Sequence, residues 1–292
     1  MVNIGIFSKT PVRPIILLGK FDGLHTGHKT LVDEGERLKQ SLNSPVYIFN
    51  FLHDESGKKK YLSTTKEKIL LEEQSGIDGV IEAPLTKDFF SIDKDEFLSI
   101  LSCNFNPVAV VCGEDYTFGF NRGGDAFYLK DYFEKMGVKA VIAPLLKING
   151  EKISSTLIRN LLVDGKIEEA NALLGYSYSF SGIVEKGRGD GKLFGFPTAN
   201  VMPDKTKFMP REGVYKTKIK VCGKVYDSVT NVGNAPTFSS LYYTTETFIP
   251  NFSGDLYGKR AEIAFFEYLR PIKKFDTTEL LYKQIKEDVS KL

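Results

Sequence analysis

Three histidines occur in the 292 residues, and two of them stand three apart in Gly19-Lys20-Phe21-Asp22-Gly23-Leu24-His25-Thr26-Gly27-His28. This string follows the apolar run 15–18 and opens a helical pattern. Glycines let a backbone come close to a ligand, and a helix N-terminus favours phosphate. Two imidazoles at that helix mouth can donate to the same phosphate oxygens. The pair also fits a turn that the rings only cap or pack. A metal fits less well, because no cysteine or third histidine nearby has ligand spacing. A second donor set is Ile153-Ser154-Ser155-Thr156-Leu157-Ile158-Arg159. Ser154, Ser155 and Thr156 are good N-cap residues, and Arg159 sits one turn in. Hydroxyls, free N–H groups and a guanidinium suit a triphosphate, although an ordinary capped helix with a surface arginine reads the same way. The segment 112–119, with Arg122 and Gly124 after it, is either a glycine-held turn or a ligand contact.

The second half has its own candidates. Residues 187–200 read Gly-Arg-Gly-Asp-Gly-Lys-Leu-Phe-Gly-Phe-Pro-Thr-Ala-Asn. Clustered glycines such as Gly187 and Gly195 offer backbone N–H groups to phosphate. The spacing is not that of a Walker A loop, and the segment also fits a flexible hairpin. Thr198 and Asn200 are hard oxygen donors two apart, suited to Mg²⁺ held together with substrate phosphates. Glu246 could take a proton from an attacking hydroxyl, or it could be an ordinary carboxylate on a strand surface.

The elements that must position these residues change near residue 175. Before it, apolar runs at 15–18, 46–51, 80–83, 108–112 and 138–143 alternate with helical segments. One starts near His28, with Leu31, Gly35, Leu38 and Leu42 on one face. Others run from Thr65 to Gly76, after Asp93, and from Gly124 to Gly137. Strands alternating with helices predict a parallel sheet covered on both faces, with ligands at the carboxyl ends of its strands. After residue 175, short strand patterns at 178–184, 213–221, 225–232, 244–249 and 260–269 predict a small antiparallel barrel or sandwich. A closing helix carries Leu281, Ile285, Val289 and Leu292, capped by Thr277 or Thr278. The domains are read as 1–175 and 179–292, with a short linker at 174–178.

Composition excludes several classes. Hydrophobic residues make up 42% and charged residues 26%, an ordinary globular balance. No apolar run approaches the ~20 residues of a spanning helix, and residues 1–14 lack the apolar core of a secretory signal. Three scattered cysteines support neither a disulfide framework nor a zinc ribbon, and a reducing cytoplasm is expected. A net charge of +2 is too small to indicate nucleic acid. Residues 179–292 carry 18 Lys+Arg against 13 Asp+Glu, a mild preference for an anionic ligand. No membrane partner is expected, and a homo-oligomer is left open.

The longer strings carry a resemblance. Residues 19–28, ending His-Thr-Gly-His, resemble the HxGH signature of nucleotidylyltransferases in the form used by bacterial bifunctional riboflavin kinase/FMN adenylyltransferases (FAD synthetases). Ile153–Arg159 resembles that family's ISSTxIR, and Cys112–Gly119 with Arg122 resembles its GxDFxFGxxRxG. Gly187–Asn200 resembles the kinase signature GR-x-GFPTAN. Asn231–Phe238, Glu246–Phe252 and Asp255–Gly258 resemble NxGxxPTF, ExHxxDF and DLYG. The resemblance implies a Rossmann-like nucleotidylyltransferase domain, then a six-stranded antiparallel barrel with a C-terminal helix. It implies that riboflavin and ATP give FMN and ADP, and that FMN and a second ATP give FAD and pyrophosphate, with Mg²⁺. Carried over residue by residue, it makes Glu246 the kinase base and gives Thr198 and Asn200 the ATP and Mg²⁺. His25, His28 and Arg159 become catalytic. Gly19, Phe21, Gly23, Ser154, Ser155, Thr156, Gly187 and Gly195 would bind ATP or phosphate, and Asp115, Phe118 and Arg122 would lie at the flavin. The chain departs from the pattern at the usual Pro-His-Pro, where Phe49-Asn50-Phe51-Leu52-His53-Asp54 has no proline and His53 is displaced by one position, and at Phe248 and Asn251, where His and Asp are usual. These departures leave two alternatives: one activity alone, or a flavin-binding regulator with idle catalytic groups.

Overall fold

The apolar runs of the first half pair edge to edge in the computed structural model of the chain. It describes residues 1–186, 198–237 and 240–292, the side chains of 234–237 and 240–242 excepted. In chain order the elements are β1 (Val2–Gly5), β2 (Ile15–Leu18), α1 (Thr26–Leu42), β3 (Val46–Phe51), α2 (Thr65–Gln74), β4 (Gly79–Ala83), α3 (Lys87–Ser91), α4 (Lys94–Phe105) and β5 (Ala109–Gly113). A small hairpin of β6 (Thr117–Phe118) and β7 (Gly124–Asp125) follows, then α5 (Ala126–Lys135), β8 (Lys139–Ala143) and the hairpin β9 (Lys147–Ile148) and β10 (Glu151–Lys152). The large sheet has the order β1-β4-β3-β2-β5-β8, and each neighbouring pair is parallel.

Continuous apolar strands suit a sheet buried on both faces. Ile16 and Leu18 join one core with Phe97, Leu98 and Phe133, while Ile15 and Leu17 join the other with Leu31, Val32 and Leu38. From β2 the chain steps outward through β3 to β4, then returns to lay β5 on the other side of β2. The order therefore reverses between β2 and β5, and ligands of such sheets sit at the carboxyl ends of the strands there. β1 escaped the sequence reading because it is a four-residue edge strand, largely exposed and without a periodic signal.

The rest of the chain forms α6 (Ser155–Asp164), α7 (Ile167–Leu174), β11 (Ser179–Glu185), β12 (Thr198–Val201), β13 (Gly213–Val221), β14 (Lys224–Thr237), β15 (Ser240–Phe248), β16 (Arg260–Arg270) and α8 (Thr278–Val289). Among the described residues, six strands close an antiparallel barrel in the order β11-β12-β15-β14-β13-β16. Alternation sets its faces. On β13, Tyr215, Thr217, Ile219 and Val221 are buried, whereas Lys218 and Lys220 are exposed. The interior also holds a chain of buried hydroxyls. Thr217 Oγ1 lies 2.8 Å from Thr230 Oγ1, which lies 2.9 Å from Thr247 Oγ1. Thr277 caps α8, and the buried Asp288 of α8 receives Arg270 at 2.7 Å.

Residues 1–55 and 63–155 make one compact unit, and 56–62 and 156–292 make the other. This division differs from the sequence reading, which gave 156–175 to the first half. The reason is visible in the packing of α6 and α7. Asn171 donates to the Phe265 carbonyl at 2.9 Å and accepts from the Tyr178 N–H at 2.7 Å, and the Leu162 carbonyl accepts from Arg211 N–H at 3.0 Å. Residues 56–62 are held in the second unit by Tyr61, which pairs with 206–208 through two backbone hydrogen bonds of 2.8 Å. The buried ammonium of Lys207 donates to the Leu62 carbonyl at 2.7 Å.

Candidate active sites

In the first unit, β2 ends at Leu18 and the chain turns through Gly23 (φ 82°) and Leu24 (φ 37°) into α1. His25 occupies the N-cap position in extended conformation, and its carbonyl accepts from His28 N–H at 2.7 Å. Its side chain makes no cap bond. Instead the His25 and His28 rings stack, with centroids 3.7 Å apart and planes 16° from parallel. Both Nδ1 atoms are buried without a hydrogen-bond partner among the described residues. Burial pushes the His25 imidazolium down to about 4, helped by the positive charge of Lys152. Burial also holds His28 well below the usual imidazole range, with His25, Lys68 and Lys152 adding to the effect. At neutral pH both rings are neutral, so each carries one N–H donor and one acceptor nitrogen.

Gly27 explains how the two motifs of this half meet. A Cβ at Gly27 would stand 3.1 Å from His25 Nδ1 and 3.2 Å from the Ile153 carbonyl oxygen. A glycine lets the Ile153 backbone lie this close to the helix mouth without displacing either neighbour. Two residues on, Ser155 Oγ donates to the Asp22 carbonyl at 3.0 Å. The serine motif is thereby fastened to the loop that carries the histidines.

Other candidates take less direct positions. Phe21 is fully buried beneath Gly19 and lies 5.1 Å from the His28 ring, so its side chain is a platform and only its backbone could meet a ligand. The Gly23 N–H is already used, donating to Ser63 Oγ at 3.3 Å. Ser154 is half-buried and Thr156 exposed at the start of α6. Arg159 sets its guanidinium over the Phe208 ring at 5.8 Å, and Thr156 and Arg159 group with the second unit. Asp115 pairs with Lys152. Phe118 is buried between Phe97 at 5.4 Å and Tyr116 at 5.7 Å, so its ring serves the core of that hairpin. Arg122 is exposed in a left-handed turn (φ 57°).

The second unit presents a different constellation. Asn200 of β12 stands opposite Glu246 of β15, and Thr198 stands opposite Phe248. Thr245 and Thr247 are buried in the barrel, so the intervening Glu246 points outward and is exposed. Alternate residues share a face, which puts Thr198, Asn200 and Glu246 together outside the barrel wall. These are hard oxygen donors, and Mg²⁺ needs few of them when waters and phosphates complete its shell. The residues fit such an ion. Gly187 and Gly195 lie outside the described residues.

The family model for riboflavin kinase matches residues 174–292, and that for FAD synthetase matches 8–157. The bifunctional riboflavin kinase/FMN adenylyltransferase of Listeria monocytogenes is 30% identical over 287 residues, covering 96% of this chain and 91% of its own. The enzyme of that name from Buchnera aphidicola (Acyrthosiphon pisum) is 32% identical, over 94% and 91%. The chain belongs to this bifunctional flavokinase/FAD synthetase family. A crystal structure described as a macrolide-efflux protein from Streptococcus pneumoniae has the same fold, with a TM-score of 0.91 at 27% identity over 99% of this chain and 98% of that one. Among the described residues, no helix is long and apolar enough to cross a membrane.

Against the family pattern, the departures at 49–54 and at Asn251 have local accounts. In the stretch without proline, Phe51 stacks on Phe90 at 5.6 Å. His53 Nδ1 lies 3.4 Å from the Thr65 hydroxyl, at the first turn of α2. Asn251 is left-handed (φ 57°), a conformation that asparagine and aspartate both tolerate. The sequence reading missed Ser63, which holds Gly23, and a buried pair in which Asn50 donates to Glu72 at 2.6 Å. A readable signal stood beside them: Thr64-Thr65-Lys66-Glu67 has capping-box spacing, and both capping bonds form.

Proposed function

We propose that the chain makes FMN from riboflavin with its barrel unit and FAD from FMN with its α/β unit, consuming one ATP in each step. In the first reaction the riboflavin 5′-hydroxyl attacks the γ-phosphorus of ATP, Glu246 takes the hydroxyl proton, and ADP leaves. Thr198 and Asn200 would hold Mg²⁺ beside the phosphates, where the ion neutralises their charge. In the second reaction a phosphate oxygen of FMN attacks the α-phosphorus of ATP, and the bond to pyrophosphate breaks. No covalent intermediate with the protein is needed, so catalysis is alignment and charge stabilisation. His25 and His28, neutral and desolvated, supply hydrogen-bond donors preset for that charge. Ser154, Ser155, Thr156 and Arg159 belong to the same phosphate-binding motif, with Asp115 and Arg122 on the flavin side.

The observation that supports this reading best is the close approach at Gly27, which brings Ile153, and with it Ser155, to the helix mouth that carries the HxGH histidines. In the barrel unit, the shared face of Thr198, Asn200 and Glu246 supports the companion activity. The free thiols of Cys103, Cys112 and Cys222 favour a reducing, cytoplasmic setting. Two assays on the full chain test the proposal: formation of FMN from riboflavin, and of FAD from supplied FMN, each with ATP and Mg²⁺. Both products are expected. FAD without FMN would leave the barrel unit idle, FMN without FAD the α/β unit, and neither product would favour a flavin-binding regulator.

A further inference from the structure

Asn231 belongs to a motif that the two reactions above leave without a role. It lies on β14, directly opposite Glu246 on β15, which in turn lies opposite Asn200 on β12. The three side chains therefore form one row across three adjacent strands. Directly opposed residues have Cβ atoms ~4.5–5.5 Å apart, so a group held by the Glu246 carboxylate is within reach of the Asn231 amide.

Asn231 Oδ1 is buried and has no hydrogen-bond partner among the described residues. Its neighbours in the row cannot supply one. On the β13 side stands Val214, which is apolar and buried. On the β15 side stands Glu246, whose ionised carboxylate accepts hydrogen bonds and donates none. A buried acceptor left in this state is costly, and such groups in native proteins usually await a ligand, a water or a catalytic partner. An N–H or O–H brought in beside Glu246 by a ligand would supply the missing donor.

We propose that Asn231 Oδ1 accepts a hydrogen bond from the 4′-hydroxyl of the riboflavin ribityl chain, the hydroxyl next to the one phosphorylated. This rests on the kinase reading of Glu246. A polyol offers vicinal hydroxyls, and two adjacent acceptors of different kind sort them. Glu246 takes the terminal O–H that will lose its proton, and Asn231 holds the next one and fixes the rotation about the last carbon–carbon bond. Asn231 thus selects polyol acceptors and aligns the 5′-oxygen for attack.

The test pairs a protein change with a substrate change. FMN formation is measured for wild type and Asn231→Ala with riboflavin, and the same two proteins are measured with 4′-deoxyriboflavin. One neutral hydrogen bond is worth about tenfold in kcat/KM for the flavin at most sites. Each single change is expected to cost about that much, with the KM for ATP unchanged within about twofold. The double change is expected to cost no more than either alone, because both remove the same bond. Losses that multiply would overturn the proposal. Asn231→Leu, which keeps the volume and carries no acceptor, supplies a second protein if the alanine variant melts early, and it must show the same loss of discrimination between the two flavins. Wild type that forms no FMN from riboflavin would instead remove the kinase reading itself.

Discussion

His25 and His28 bring the cost of desolvation into the proposed FAD-forming site. His25 is buried and His28 half-buried, both rings are neutral, and on the proposed reading they hold donors in place without prior charge. His28→Ala removes one such donor and is expected to slow FAD formation by ~10²-fold, while riboflavin phosphorylation is unaffected. Assaying both products from one preparation checks this. Glu246→Gln is the complement. Glutamine keeps size and one acceptor oxygen but takes no proton, so FMN formation should fall ~10²–10⁴-fold with FAD formation from supplied FMN intact. The depressed His25 value also has a stability consequence. Its folded value of about 4 lies below the unfolded 6.5, so the unfolded chain binds the proton more readily. The stability this represents is present above pH 6.5 and is lost as pH falls toward 4. Between pH 7 and 4.5 wild type should lose on the order of 2 kcal/mol more than His25→Gln, measured by urea unfolding. Equal losses in the two proteins would show that His25 protonates freely in the fold.

At the scale of elements, the proposed FAD-forming site rests on a close meeting of α1 with the backbone that leads into α6. Gly27→Ala places a methyl between the His25 ring and the Ile153 carbonyl, and one of the two must move by a few tenths of an ångström. A misplacement of about 1 Å can cost ~10²-fold in rate, so a shift of this size still weakens alignment. FAD formation is expected to drop at least ~10-fold, although alanine is the better helix former by up to ~1 kcal/mol. A variant with raised stability and undiminished FAD formation would show that the contact is slack. The same elements show what could be read in advance. The apolar runs of β2, β3, β4, β5 and β8 were legible because strands buried on both faces leave no room for polar residues. β12 was not, because Thr198-Ala199-Asn200-Val201 reads as the tail of a glycine-rich loop until β15 supplies its partner.

Across the whole molecule, α6 and α7 pack with the barrel unit, and this alters what a kinase fragment should contain. Residues 179–292 hold every kinase motif but lack Asn171, which bonds both Phe265 and Tyr178. A fragment of 156–292 is therefore expected to melt at a higher temperature than 179–292, with FMN formation in both. Loss of the Asn171 bonds and of the apolar face of α7 is worth several kcal/mol by the usual scale of buried side chains. Equal melting temperatures would place those helices outside the cooperative unit.

Local chemistry alone determined much of this protein. Glycines, histidines and hydroxyls at motif spacing mark helix mouths and strand ends, because backbone conformation and capping are decided within a few residues. Alternation and apolar runs likewise identified a parallel sheet followed by a small antiparallel barrel or sandwich, and the family resemblance chose the barrel. Only the tertiary structure decided how those pieces serve one another. Burial made the two histidines neutral, an aromatic ring at Phe21 became a platform, and Ser63 took up the N–H of Gly23. Strand register set Asn231 and Asn200 on either side of Glu246. Each of these depends on contacts between residues distant in the chain, and desolvation and register have no local signature.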